Sequence, residues 1–371
     1  MSFAWTRAGR WDWPLLALTA ALVGTGLIMV YSASTILAMR LYGNANFFIL
    51  RQLLWAGVGL AGMWALARFP YPRLRAAAVP LLFGAFALLL AVLALHLGRA
   101  AGGARRWLVL GPFSFQPAEL LKLCFVIYLA DALTRKQQQV DSFAHGVLPL
   151  LLISAASAGL LLLQPDLGTA VIVALLTVGM LFLGGARFSH LAALALGALP
   201  LLVLLVASAG YRRRRWLAFL DPWQDPLGKG FQMIQSFLAL GSGGLWGRGL
   251  CESQQKLFYL PAPHTDFIFS ILGEELGFAG TFALLVVFGL LLWKGFAIAR
   301  RCADPFGKLL AAGITLLLGL QMGVNIGMAM GLFPTKGATL PFISAGGSSL
   351  LCSLAAVGLL LSVARTLPEE G

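Results

Sequence analysis

Residues 13–31 read WPLLALTAALVGTGLIMVY. No charge interrupts the run, and it is close to the ~20 apolar residues that a helix needs to cross the hydrocarbon core of a bilayer. Arg7 and Arg10 precede it, and Ser32-Ala33-Ser34 behind it resembles a signal-peptidase site. The apolar core of a cleaved signal peptide is only about 7–15 residues long. The run is therefore expected to stay in the protein as a first membrane span.

Nine further apolar stretches follow, at roughly 48–67, 77–97, 118–134, 147–163, 168–185, 190–209, 267–293, 308–331 and 342–364. A helix satisfies its own backbone hydrogen bonds in lipid. The runs lack the period-two alternation of a membrane barrel. The expected fold class is all-α: a polytopic integral membrane protein of about ten transmembrane helices. It forms a single membrane domain over residues 1–371, with one large extracytoplasmic loop, 210–266, between spans 7 and 8. Composition agrees, since the 371 residues are 59% apolar and 11% charged, against about 25% charged in soluble domains.

The net charge of +13 would raise nucleic acid as a partner in a soluble protein. In a membrane protein, lipid head groups and orienting loops account for it, and no nucleic acid is expected. An even number of spans puts both termini on one side. With the long loop left out of the count, Lys and Arg favour the cytoplasm for that side. Cys124, Cys251, Cys302 and Cys352 stand far apart, which suggests neither a zinc site nor a disulfide framework.

Ionisable groups at membrane depth are functional candidates by default. In Gln116-Pro117-Ala118-Glu119-Leu120-Leu121-Lys122, Glu119 and Lys122 share a helix face and can pair, as a structural ion pair or as the lining of a polar cavity. In Gln164-Pro165-Asp166-Leu167-Gly168-Thr169, Asp166 can cap the next helix or meet a ligand. Arg212 to Arg215 form a run of four arginines, either a solvated charge run or forks for phosphate oxygens. Pro263-His264-Thr265-Asp266-Phe267 ends the long loop where water gives way to lipid. Asp266 there is a candidate general base with a raised pKa, His264 a competing base, and capping by Asp266 or Thr265 the bland alternative. Phe333-Pro334-Thr335-Lys336-Gly337 and Leu340-Pro341-Phe342-Ile343-Ser344 through Ser349 suggest an irregular backbone lining a cavity. Glu274 or Glu275 is expected to face the same cavity as Asp266. Gly319, Gly323, Gly327 and Gly331 mark a face for close helix packing, with Asn325 inside it expected to bond across to another helix.

Together these segments resemble the SEDS family of polytopic shape, elongation, division and sporulation proteins, from about Asp12 to Leu361. Gly103-Ala104-Arg105-Arg106-Trp107, Ser114-Phe115-Gln116-Pro117, Gln164 to Thr169, His264 to Phe269 with Glu274-Glu275-Leu276-Gly277, and Pro341 to Ser344 with Gly346 to Ser349 carry the resemblance. Met29 to Ser34, Ala239 to Leu245 and Pro334 to Gly337 favour the cell-division branch over the elongation and sporulation branches. The chain departs from the family pattern at Cys251-Glu252-Ser253, Pro261-Ala262-Pro263 and Ala345.

The resemblance implies a glycosyltransferase that polymerises lipid II on the outer face of the bacterial cytoplasmic membrane. Its implied partners are a class B penicillin-binding protein and other division proteins. It implies Asp266 as the catalytic residue and Glu119, Lys122 and Asp166 in the polar cavity. In the expected mechanism Asp266 takes a proton from an acceptor sugar hydroxyl. Arginines of the 212–215 run, Arg212 and Arg215 among them, hold diphosphate with Arg105 or Arg106, and an optional divalent cation, Mg or Mn, joins them. Lys256, His264, Thr265, Lys336 and Ser344 complete the expected substrate-binding set. The competing readings are a lipid II flippase, an elongation-branch polymerase and a non-catalytic scaffold.

Overall fold

The structure is a computed structural model and describes residues 11–94, 98–101, 104–110, 113–228, 230–257, 260 and 263–367. Helices run in the order α1 (Trp13–Tyr42), α2 (Phe47–Arg68), α3 (Arg73–Ala94), α4 (Pro117–Arg135), α5 (Leu148–Leu163), α6 (Leu167–Leu183), α7 (Phe188–Ala207), α8 (Gly210–Leu220), α9 (Phe231–Ser242), α10 (Ile268–Arg301), α11 (Pro305–Ala329) and α12 (Gly347–Ala364). Sequence chemistry sets several starts. Asp12 accepts from Leu15 N at 3.0 Å and caps α1, Asp304 caps α11 through Gly307 N at 2.9 Å, and prolines occupy first-turn positions of α1, α4, α5 and α11, where a missing N–H costs nothing.

Among the described residues eight helices are long and apolar enough to cross a membrane. The expected stretch at 168–185 falls on α6, which is apolar but shorter. The stretch at 118–134 falls on α4, which carries Glu119, Lys122, Asp131 and Arg135. Each expected stretch thus corresponds to one helix, and the chain is an all-α polytopic membrane protein. α11 and α12 are buried along most of their length and form the centre. α7 buries only Leu191 and lies at the periphery.

Two features were not expected. The connection between α3 and α4 is a small antiparallel sheet of β1 (Gly98–Ala101), β2 (Ala104–Leu110) and β3 (Phe113–Phe115) in that order, with Arg99 opposite Trp107 and Leu108 opposite Phe115. The second is a break inside α10, at Gly277 (φ 67°, ψ −165°). The break releases backbone groups that segment 244–249 takes up. Arg248 N donates to Glu274 O, Gly249 N to Glu275 O, Phe278 N to Gly244 O and Ala279 N to Leu245 O, each at 2.9–3.0 Å. An interrupted helix survives at membrane depth only when such partners are supplied.

The long segment after α7 is well structured where described. Ser236 of α9 bonds Ser270 at 2.6 Å and donates to Ala329 O at 2.7 Å, tying α9 to both α10 and the end of α11. The glycine ladder is only partly a packing face. Gly319 approaches Leu292 and Gly327 approaches Phe333, but nothing lies within 4 Å of a Cβ built on Gly323, and Gly331, with φ at 72°, stands past the end of α11.

Candidate active site

The starts of α4, α10 and α12 meet at one end of the bundle. Ser348 Oγ accepts from Gln116 N at 2.9 Å, Ser344 Oγ donates to Thr265 O at 2.6 Å, and Ala345 N donates to His264 O at 2.8 Å. Gln52 of α2 grips the same loop from both sides, donating to Ser344 O and accepting from Gly346 N, each at 3.2 Å. Ser344 Oγ also accepts from Leu340 N at 2.8 Å. Helix N-termini carry unpaired N–H groups and a partial positive charge, so this end favours an anion.

Asp266 stands two residues before α10 but does not cap it. The capping position is Phe267, and no side chain there accepts a helix N–H. The bland reading of Asp266 and Thr265 as caps is therefore set aside. Asp266 is half-buried, and its Oδ2 lies 3.4 Å from where a Cβ on Gly337 would stand. Burial pushes its pKa up to about 6, against the opposing pull of Lys336, the Thr265 hydroxyl, Arg215 and Arg106. Burial drives His264 down to about 4, so it is neutral near pH 7 and much the weaker base. Its ring packs against Phe48 with centroids 4.7 Å apart.

Of the two roles the sequence left open for Asp166, the structure shows the cap. It caps α6, accepting from Thr169 N at 3.1 Å and Thr169 Oγ1 at 2.8 Å. Its own burial opposes ionisation, but Lys336, Arg106 and the Thr169 bonds outweigh it and hold its pKa below the ordinary value. Lys336 stretches across Gly168, with Cδ 2.0 Å and Nζ 2.7 Å from where a Cβ would be. Burial lowers Lys336 to about 8, Asp166 and Glu119 raising it and Lys122 and Arg106 lowering it further. Arg106 donates from Nε to Gln164 O at 3.0 Å and from Nη2 to Pro165 O, fixing the turn that presents Asp166. Glu119 and Lys122 form a buried ion pair at 2.7 Å, and Gln321 of α11 donates to Glu119 at 3.4 Å. Asp266, Asp166, Lys336, Arg106, Glu119 and Lys122 thus form one electrostatically coupled group.

The other expected residues divide. Arg215 is exposed on α8 and acts on Asp266 through its charge. Arg212 donates to Leu205 O at 3.0 Å, a bond to the preceding helix. Arg105 lies on β2, and its side chain is outside the described residues. Lys256 is buried and bonds Glu275 at 3.0 Å and Ser32 at 3.3 Å, so its charge is spent inside the protein. Glu274 and Glu275 do not face Asp266. Glu274 accepts from Ser253 Oγ at 2.5 Å and Gln254 N at 2.9 Å, and Glu275 from Ser32 Oγ at 2.6 Å. They moor segment 248–256 and α1 to the broken helix. Among the described residues no three His, Cys, Asp or Glu side chains form a group that could hold a metal ion.

Sequence reasoning did not find Gln52, and it sent Asn325 to the wrong partner. Asn325 donates to the loop carbonyls of Asp266, at 3.0 Å, and Ala338 rather than to a neighbouring helix. A polar residue inside an apolar run was the available signal for both.

A bundle of membrane helices with a raised-pKa carboxylate beside a cationic cluster at one end defines a polytopic membrane protein with a charged site where its helix starts meet. The chain belongs to the FtsW/RodA/SpoVE family, described as a cell cycle protein, which matches residues 13–369. It is 45% identical over 358 residues to the probable peptidoglycan glycosyltransferase FtsW of Geobacter sulfurreducens, covering 96% of each chain. It is 45% identical over 354 residues to the stage V sporulation protein E of Bacillus subtilis, covering 95% of this chain and 97% of that one. Among solved structures it resembles a chain of a peptidoglycan synthase complex that coordinates polymerization and crosslinking (TM-score 0.79, 38% identity, 96% of this chain and 98% of that one). It also resembles the rod shape determining protein RodA of Thermus thermophilus (TM-score 0.71, 34% identity, 99% of both chains).

Proposed function

We infer that this chain is a peptidoglycan glycosyltransferase that polymerises lipid II into glycan strands during cell division, at the outer face of the bacterial cytoplasmic membrane. Both termini lie in the cytoplasm, and the 210–266 loop lies outside. A class B penicillin-binding protein and other division proteins are its partners.

The observation that carries the reading is the placement of Asp266. Its carboxylate has a pKa near the working range and stands where the starts of α4, α10 and α12 meet, under the charge of Lys336, Arg215 and Arg106. General bases are most effective when their pKa lies near the operating pH, and proton transfer of this kind contributes about 10²–10⁴-fold. Asp266 takes the proton of an acceptor sugar hydroxyl as its oxygen bonds to the anomeric carbon of the donor. The bond from that carbon to the diphosphate breaks, and the electron pair leaves with the diphosphate. Lys336, Arg106 and Arg215 supply the neighbouring positive charge. A single displacement with one base inverts the anomeric centre, because retention through a covalent intermediate requires a separate nucleophile.

The test is polymer formation from lipid II by purified protein in detergent. Wild-type protein is expected to make polymer, and Asp266→Asn to insert and fold but make none. Polymer of normal length from that variant would remove Asp266 as the base. Polymer formed without a bilayer to cross separates this reading from a flippase.

A further inference from the structure

Three consecutive carbonyls lead up to the carboxylate, and each is held by a donor from another stretch of chain. Ala345 N holds His264 O at 2.8 Å, Ser344 Oγ holds Thr265 O at 2.6 Å, and Asn325 Nδ2 holds Asp266 O at 3.0 Å. The third bond is different in kind. The same Asn325 nitrogen also donates to Ala338 O, and Ala338 is two residues beyond Lys336. A carboxamide nitrogen has two protons to donate, and here both are committed. One goes to the segment that carries Asp266, the other to the segment that carries Lys336.

Asn325 itself is fully buried on α11, one of the central helices. Its amide therefore ties two irregular loops to a rigid element and to each other. A polar residue used for helix packing would bond a neighbouring helix, and these two bonds go to loop carbonyls instead. The groups whose separation is at stake are charged. Asp266 feels Lys336, Arg215 and Arg106 as cations and the Thr265 hydroxyl as a donor.

We propose that Asn325 is a positioning residue for glycosyl transfer: it staples the Asp266 and Lys336 backbones at a fixed spacing. The proposal rests on Asp266 being the base. Small displacements at such a site are expensive, since about 1 Å of misplacement can cost about 10²-fold in rate. Leucine has a similar volume and no donor, so Asn325→Leu releases both carbonyls without opening a cavity.

The experiment measures lipid II polymerisation by wild type, N325L, N325S, K336M, the N325L/K336M double variant and D266N across about pH 5 to 9, each as full chain. N325L is expected to lose about 100-fold in kcat with KM within about threefold. As Lys336 drifts away, the acid limb of kcat/KM should move to higher pH. N325S, which keeps one donor, should fall between wild type and N325L. K336M should raise the acid limb by itself, and adding N325L should raise it no further, because the staple acts through Lys336. An unmoved limb in N325L, limb shifts that add in the double variant, or a loss carried by KM would each overturn the proposal. If N325L does not survive purification, N325S and its double with K336M are read by the same criteria. D266N separates the two layers. If it is inactive, a failed staple test overturns the role of Asn325 alone; if it is active, both readings fall.

Discussion

The Lys336 side chain crosses directly over Gly168, at a distance that no Cβ could tolerate: Cδ and Cε lie 2.0 and 2.1 Å from where one would stand. Gly168 is the second residue of α6, two beyond the cap Asp166, so its lack of a side chain leaves room for the Lys336 stem, whose charge acts on that carboxylate. Gly168→Ala is expected to keep α6, because alanine is a better helix former than glycine, while turning Lys336 aside. Activity should drop by about 10²-fold with little change in thermal stability. Equal loss of both would mean that the glycine serves the fold.

With Asp266 as the proposed base, its charge state and that of Lys336 are expected to set a pH profile. The base must be ionised, so kcat/KM rises with pH through about 6, where Asp266 loses its proton. The neighbouring ammonium must stay charged, so the rate falls again above about 8. The expected curve is a bell. Asp266→Glu should move its acid side while leaving the alkaline side in place. A profile flat from pH 5 to 9 would detach both groups from the rate.

The apolar runs made the helices legible because lipid admits few other backbone solutions. The site was legible where chemistry is local: Asp166 as a cap, Glu119 with Lys122 as a pair, Asp266 as a carboxylate at a helix mouth. What could not be read depended on partners distant in sequence. Lys256 and Glu275 look like free charges in a string of letters, and each is the other's partner only because segment 244–257 folds back against α10 beside its break at Gly277. Glycine within an apolar run reads as ordinary packing, and only its φ of 67° marks the break. Asn325 was visible as polar, but loop carbonyls leave no trace in sequence.

The buried pair of Lys256 and Glu275 predicts an asymmetry. Their side chains are 5% and 0% exposed and lie 3.0 Å apart, with Ser32 completing the set. Glu275→Ala strands a buried ammonium and should cost about 3–5 kcal/mol, whereas replacing both, as in Lys256→Met with Glu275→Leu, should come close to neutral. Thermal unfolding in detergent reads the difference. Lys256→Met/Glu275→Leu should also retain polymerase activity if the pair only moors the loop, and its selective loss would return Lys256 to the substrate.

Gly277 is the hinge on which that mooring depends. Its φ and ψ of 67° and −165° lie in a region essentially reserved for glycine, where another residue costs about 1–3 kcal/mol. A Cβ there would also sit 2.3 Å from Gly247 N and 2.7 Å from Leu245 C, so the neighbouring segment would have to move. Gly277→Ala therefore pushes α10 towards an unbroken helix. That removes the acceptors at Glu274 O and Glu275 O from Arg248 and Gly249, and the donors at Phe278 and Ala279 from Gly244 and Leu245. The exposed tip at Leu245 and Trp246 should then become the first site of protease attack. Limited proteolysis should show cleavage within 244–257 in Gly277→Ala under conditions that leave wild type intact. The Asp266 carbonyl stays bound by Asn325, so some polymerase activity should outlast the nick. Resistance equal to wild type would mean that the segment is held by something other than the broken helix.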